Sequence, residues 1–459
     1  MSLEVQPVWT SEPGSMANET ALTRWPRIVL DIVKDVTETC DQLSAQDEKK
    51  EAQRICRELE SLHEEITTDG KLREITLRQK VDNASLLPED ERLSDVEDWN
   101  AQLRQIQGCS WLAAPWLFTE CYLYKRVQAI FVISDTQIWP SYDYFKRQKD
   151  STFAKSSAAV EELAARFINM VKEKDAFTDQ THADAQRLLF TEMVEIALWG
   201  NATDLSMLGP LSVEDLQSLQ GRDSIAKSRR NIVDDDLDDV WRFLSRHPRA
   251  NIDIVLDNAG FEFFTDMLLA TYLLEMKIAS SIRIHVKDFP WFVSDVIPSD
   301  IPSLFSHLKS TEIFPHHRQE IDQLVTRMQN QLSSGAIHVQ QHPFWTTGHT
   351  YHDMPSHAKD LFEDLKSRDL IITKGDLNYR KLTRDGLWPH TTRFEDAIGP
   401  MGRGSGINVM ALRTNKADVV VGIETEAKVA ELHKEAPNGA WTRNGRYAVI
   451  SFNEGRLPN

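Results

Sequence analysis

Four places in the sequence end an apolar run on residues that bind metals or phosphates. The first, NIDIVLDNAGFEFFTD, reaches Asp257 and Asn258 and then turns at Ala259-Gly260. Both side chains offer oxygens that suit a hard divalent cation such as Mg²⁺ or Mn²⁺. Alone, the pair has a simpler explanation, because Asp and Asn are favoured caps of a following helix. The second, IRIHVKDFPWFVSDV, carries Lys287 and ends near Asp295. If its strand neighbours the first, Asp295 joins Asp257 and Asn258 as a third oxygen donor; otherwise it is a surface aspartate. The third, LIITKGDLNYRKL, supplies Lys374, Gly375, Asp376, Asn378, Tyr379 and Arg380. Glycine lets backbone approach a ligand closely, and arginine can hold phosphate oxygens in a fork. The fourth, INVMALRTNKADVVVGI, places Thr414 between the cations Arg413 and Lys416, a grouping that suits an anion. Either of the last two segments alone reads equally as a charged turn. Four such junctions in succession are less common.

Other candidates carry less. GPMGRGSGINVM has spaced glycines, Gly402, Gly404 and Gly406, but they precede a strand-like run and read as a loop. Neither a G-x-x-x-x-G-K-[ST] nor a G-x-S-x-G motif occurs. HPFWTTGHTYHDMP gathers His342, His349, His352 and Asp353 without a helical His-x-x-x-His pair, so a solvent-facing loop is expected over a zinc site. The acids Asp234, Asp235, Asp236, Asp238 and Asp239 read as a solvated helix start or linker.

The elements that must position these residues follow from periodicity. After residue 250 the β-rich runs IDIVLD, IRIHVK, AIHVQQH, LIITKGD, INVMAL, ADVVVGI and YAVISF are separated in several places by helical stretches. That alternation predicts a mostly parallel sheet with helices on both faces. In such sheets ligands lie beyond the carboxyl ends of the strands. The first half reads as mostly helical. Ile28, Val29, Ile32, Val33 and Val36 keep helical spacing behind Pro26, as do Val160, Leu163, Phe167 and Val171, and an aromatic-rich segment is broken at Pro115. The expected organisation is an arm over 1–20, a helical domain over 21–235 and an α/β domain over 236–459.

The 459 residues are too many for one ordinary domain. With 41% hydrophobic residues the chain can bury a large core, and its net charge of -18 argues against nucleic-acid and anionic-membrane partners. Four cysteines without a C-x-x-C pair imply a reducing compartment. The N-terminus lacks the pattern of a secretory signal, and no run approaches a membrane span. A cytoplasmic or nucleocytoplasmic monomer is expected.

Taken together, VLDNAGFEFFTDMLLATYLL, KDFPWFVSDV, KGDLNYRKL and RTNKADVVVG resemble the damage-control phosphatase family, formerly a domain of unknown function. CSWLAAPWLFTECYLYKRV and LWGNATDLSML extend the likeness into the helical half. The Arg-Thr-x-Lys motif is similar to that of the eukaryotic third subgroup, also described as acidic-residue (protein-glutamate) carboxyl methyltransferases. The resemblance implies a helical N-terminal domain closing over a Rossmann-like three-layer α/β/α core. It implies metal ligands at Asp257, Asn258 and Asp295, and substrate contacts at Asp376, Leu377, Asn378, Tyr379, Arg380 and Lys416. Lys287, Glu120 and Arg126 are further candidates for substrate contact. Implied too is hydrolysis of small phosphorylated metabolites such as fructose 1-phosphate and fructose 6-phosphate, supported by Mn²⁺, Mg²⁺, Co²⁺ or Ni²⁺. The alternatives are methyl transfer from S-adenosylmethionine, which the single glycine after the first core strand disfavours, and a non-catalytic sugar-phosphate sensor.

Overall fold

The computed structural model describes residues 5–76, 95–173, 179–200 and 229–455; the side chains of 173 and 179–184 are also outside that description. Residues 201–208, which extend the family likeness, fall outside it. Among the described residues seven strands form one sheet: β1 (Ile232–Asp235), β2 (Ala250–Val255), β3 (Ala279–Val286), β4 (Ile337–Gln341), β5 (Leu370–Lys374), β6 (Val409–Thr414) and β7 (Ala448–Asn453). Their spatial order is β1-β7-β6-β5-β2-β3-β4. Every pair is parallel except β6 with β7.

The strands read as near-continuous apolar runs because both faces are covered. Ile372, Met410, Leu412 and Ile450 face one core, and Ile371, Val409, Ala411 and Val449 face the other. The helix Phe261–Glu275 is buried along almost its whole length, packed against the sheet and against Asp179–Trp199. The fold is thus mixed α/β with a mostly parallel sheet and helices on both faces.

Two elements depart from the expectation. The acid-rich stretch is a helix start only in part: Asp236 is the N-cap of the helix Leu237–Arg246 and Asp238 and Asp239 stand in its first turn, as expected, but Asp234 and Asp235 lie in β1. The Asp234 carboxyl is buried and takes a hydrogen bond from Ser451, and burial pushes its pKa well up. A four-residue, half-acidic strand has too little apolar pattern to announce itself. Conversely ADVVVGI is not a strand. Val419, Val420 and Val421 are buried, but side chains serve their backbone: Arg413 donates to the carbonyls of Ala417 and Val419, His390 meets that of Val420, and Val421 N–H donates to Tyr379 Oη. A buried segment can satisfy its polar groups outside a ladder, and composition does not distinguish the two cases.

The helical half contains Trp25–Gln42 (which continues without a break from Met16–Glu19 and Thr20–Arg24, so that Pro26 does not mark its start), Gln46–Thr67, Val96–Gln105 and Trp116–Val132, which starts directly after Pro115. Their shared core takes in Trp291, from the loop after β3, and Leu377, from the helix Gly375–Leu382 that follows β5. Tyr124 stacks on Phe292 with ring centroids 4.8 Å apart, and Tyr144 donates to the Pro290 carbonyl. This region therefore covers the carboxyl ends of the central strands. Among the described residues no helix is long and apolar enough to cross a membrane.

Candidate functional site

Sheet order brings the four junctions together. In the chain, β2 leads outward to β3 and β4, whereas its other neighbour, β5, leads on to β6. The direction reverses between β2 and β5, the position where parallel sheets open a binding crevice. The junctions after β6, β5, β2 and β3 stand side by side around it.

Asp257 and Asn258 do not cap the next helix. Gly260, at φ +74°, is the N-cap of Phe261–Glu275, and no side chain caps that end. Instead Asn258 bridges to Asp295: the Asp257 carbonyl accepts from Val296 N–H at 2.8 Å, and Ala259 N–H donates to the Ser294 carbonyl at 2.7 Å. The two acids are nearly inaccessible, with Asp257 4% and Asp295 1% exposed. The Asn258 amide donates to Asp257 Oδ2 at 2.7 Å and to Glu262 Oε2 at 2.8 Å, while its oxygen accepts from Ser294. Lys287 Nζ lies 3.3 Å from Asp295 Oδ2 and donates to the Leu256 carbonyl. Burial, then the negative neighbours Glu262 and Asp295, push the Asp257 carboxyl well above the ordinary range. Burial lifts Asp295 to about 6 despite Lys287. Carboxylates held this way lack positive charge.

From the other side, Gly375 opens the helix Gly375–Leu382 at φ +81°. A Cβ there would stand 1.9 Å from Asp257 Oδ2, so only glycine lets the carboxylate lie on this turn. Asp376 is half-buried; its Oδ1 accepts from Arg413 Nε at 2.8 Å and from Lys416 N–H at 3.2 Å. The positive charge of Lys416 lowers the Asp257 pKa, so it acts across the crevice. Thr414 Oγ1 is buried and has no hydrogen-bond partner among the described residues.

The remaining candidates are placed differently. Asn378 is turned inward: it donates to the Lys374 carbonyl and accepts from Tyr351 Oη at 2.6 Å. Leu377 and Tyr379 are wall residues, the latter under the Arg413 guanidinium at 4.5 Å. Arg380 donates to both Asp385 oxygens and to Glu120 Oε2 at 2.8 Å and stacks on Trp116. Three of its five N–H groups are used, leaving two. Glu120 thus reaches the site through Arg380. Arg126 does not: six residues further on, it points about 240° around the same helix and pairs with Glu65.

Glu262 is a site residue that the sequence reading missed. It is buried between the Asn258 amide and Lys374 Nζ, and Lys374 also meets Asp266 at 2.9 Å. Its signal was an acid in the first turn of a helix, which ordinarily needs no further reason. The histidine loop also departs from expectation. His349 is buried and His352 contacts the Leu382 and Ala397 carbonyls, because the loop is wedged under the helical half. His349, His357 and Asp98 form a group that could hold a metal.

Comparison with known proteins places the chain in a family. A profile of the Damage-control phosphatase ARMT1-like domain matches residues 20–432. The protein named Damage-control phosphatase ARMT1 of Danio rerio is 32% identical over 458 residues, spanning 96% of this chain and 95% of its own. The Homo sapiens protein of that name is 28% identical over 410 residues, spanning 85% and 89%. A crystal structure of a DUF89 family protein from Pyrococcus horikoshii aligns with TM-score 0.35 at 18% identity, over 80% of this chain and 92% of that one. With its profile match running over most of its length, the chain belongs to the ARMT1-like damage-control phosphatase family.

Proposed function

We propose that the chain is a metal-dependent phosphomonoester hydrolase acting on small sugar phosphates, of which fructose 1-phosphate and fructose 6-phosphate are the candidates. The observation that supports this best is the meeting of Asp257, Asn258 and Asp295 at the switch crevice, faced by Asp376 and Lys416. A divalent cation fits there. Two buried carboxylates repel each other, Asp295 Oδ2 meets Lys287 at 3.3 Å as an ion pair without a well-aligned hydrogen bond, and the donors are all oxygen, which favours Mg²⁺ or Mn²⁺. When bound, such an ion polarises a phosphoryl oxygen and acidifies water.

The chain's own residues supply the rest. Lys416 neutralises charge on the equatorial oxygens of the transferring phosphoryl group. Asp376 is held at one oxygen by Arg413, and its second oxygen accepts a proton from water or attacks phosphorus itself. Arg380 offers its two remaining N–H groups to phosphate, and Glu120 and Asp385 fix its plane. Asn378, Leu377 and Tyr379 shape the wall, and Lys287 holds Asp295. On this reading the protein is a monomer, cytoplasmic or nucleocytoplasmic, working on small phosphorylated metabolites.

The test is phosphate release from a panel of sugar phosphates with Mn²⁺, Mg²⁺, Co²⁺ and Ni²⁺, beside calorimetry with S-adenosylmethionine. Metal-dependent release is expected, with no S-adenosylmethionine binding. Binding of S-adenosylmethionine without phosphate release would replace hydrolysis by methyl transfer; tight sugar-phosphate binding without turnover would leave a sensor.

A further inference from the structure

A second cluster of metal-type side chains lies outside the crevice, where the helix Val96–Gln105 meets the loop before Lys359–Lys366. One ligand atom each from Asp98, His349 and His357 lie within 4.8 Å of one another. His349 Nε2 stands 2.8 and 3.0 Å from the two Asp98 oxygens, and the imidazoles of His349 and His357 face each other with centroids 3.9 Å apart. Gln102, one turn on from Asp98, places its amide nitrogen 3.1 Å from the same His349 Nε2.

With the cluster empty, the Asp98 carboxylate is the common acceptor: His349 Nε2–H reaches it at 2.8 Å and the Gln102 amide donates to it at 2.9 Å. A neutral imidazole nitrogen either donates or accepts, so loss of the His349 Nε2 proton frees a lone pair on the ring beside the carboxylate. A half-turn of the Gln102 amide adds a fourth lone pair, and an ion at the centre would suit all four groups. His357 has the outer-shell partner expected of a ligand, since its Nδ1 faces the Asp353 carbonyl at 3.3 Å and Ser356 Oγ at 2.9 Å. Close approach is built in at Gly348, where a Cβ would lie 2.8 Å from Gln102 Oε1 and 2.9 Å from the Phe118 ring.

We infer that Asp98, His349 and His357, with Gln102, form a second metal site of two imidazoles and oxygen donors, selective for a transition ion of the Zn²⁺ class. Nitrogen-rich donor sets select such ions, whereas the all-oxygen crevice suits Mg²⁺ or Mn²⁺. Its place in the fold gives it a task. Asp98 belongs to the helical half, while the histidine loop is tied to the crevice wall by Lys381 Nζ to the Thr347 carbonyl and by Tyr351 to Asn378. An ion here clamps the helical cover onto the helix that carries Asp376.

The experiment uses tag-free, chelator-stripped full chain and Zn²⁺ alone, read by calorimetry and by the visible spectrum of the Co²⁺ form. One equivalent of Zn²⁺ is expected to bind wild type and Asp257→Ala alike and to raise Tm in both. His357→Ala removes an exposed ligand and is expected to fold normally, with Zn²⁺ affinity at least about tenfold weaker; His349→Gln should act in the same direction. Absence of Zn²⁺ binding, affinity unchanged in both histidine variants, or loss confined to Asp257→Ala would each overturn the site. None of these readouts depends on phosphatase activity.

Discussion

Strand β2 and the junction that follows it carry two buried aspartates, four residues apart, with opposite treatment. Asp253 is saturated. Arg283 donates to both its oxygens, Arg368 donates to one at 2.7 Å, and His285 meets the other at 2.9 Å. Burial alone would raise its pKa, but those partners outweigh burial and hold the carboxyl below its ordinary value. Asp257 keeps different company. Its neighbours include Glu262 and Asp295, and its carboxyl is pushed well up. Both positions are equally inaccessible, so burial does not separate them. Balance of charge does: the first group is built to be stable as it stands, the second is left short of positive charge, as sites awaiting a cation are.

Substitution should expose that contrast. Asp257→Ala is expected to lower metal-dependent phosphate release about 10³-fold, roughly 4 kcal/mol, while leaving Tm of the metal-free protein unchanged or higher, since a repelling carboxylate is gone. Activity within tenfold of wild type would remove Asp257 from the site. Asp253→Asn should do the reverse, costing about 3 kcal/mol in urea unfolding because Arg283 and Arg368 lose their counter-ion. The fraction still folded should keep its kcat. If the two variants lose stability equally, the distinction between the two acids fails.

Next in size is Gly375→Ala. The φ of +81° and the overlap with Asp257 Oδ2 predict about 2 kcal/mol of destabilisation, with loss of activity beyond what the unfolded fraction explains. Normal activity in the folded fraction would show that Asp257 need not rest on this turn. Lys416→Ala should be milder, lowering kcat/KM about tenfold, or roughly 1.4 kcal/mol. Because it acts on phosphate charge, the loss should shrink in high salt. An unchanged kcat/KM would remove the Lys416 charge from the site.

The legible parts of this site were those whose cause is local. An apolar run that stops on Asp-Asn, or on Lys-Gly-Asp, marks a strand end from composition alone, and the helix at Trp116 begins where its proline says, whereas helical backbone runs through Pro26 from Met16. What sequence does not supply is the order of strands, and only that order turns four weak junctions into one crevice. Glu262 went unseen because an acid at a helix start needs no special reason. His349 was read as solvent-facing because its partner Asp98 lies 251 residues away in the chain. Arg126 was assigned to the crevice from a shared motif, but helix geometry turns it from Glu120. Long-range pairing and helix phase decide these cases, and neither is written in a short segment.

The smallest expected effect follows from His285, which lies beside Asp253 and fully within the sheet core. Burial pushes its imidazole below the usual value even with the Asp253 carboxylate at 2.9 Å. In the neutral form Nε2–H donates to Asp253, and Nδ1 is left without a hydrogen-bond partner among the described residues, with the Trp345 ring beside the imidazole. Protonation would therefore bury an N–H with nothing to accept it. The folded pKa lies below the unfolded value of about 6.5, so the unfolded chain binds more protons. Stability is then complete above about pH 6.5 and declines as pH falls below it, by at most about 1.4 kcal/mol per pH unit for this one group. Urea unfolding at pH 7.5, 6 and 5 of wild type and His285→Gln separates this contribution, because the crevice carboxylates titrate alike in both proteins. The gap between them should narrow as pH falls. A gap that stays constant would mean that the ring titrates alike in the folded and unfolded chain; a gap that widens as pH falls would mean that His285 is held charged in the folded protein, with Asp253 the centre of an ion-pair network instead of the acceptor for one neutral ring and two arginines.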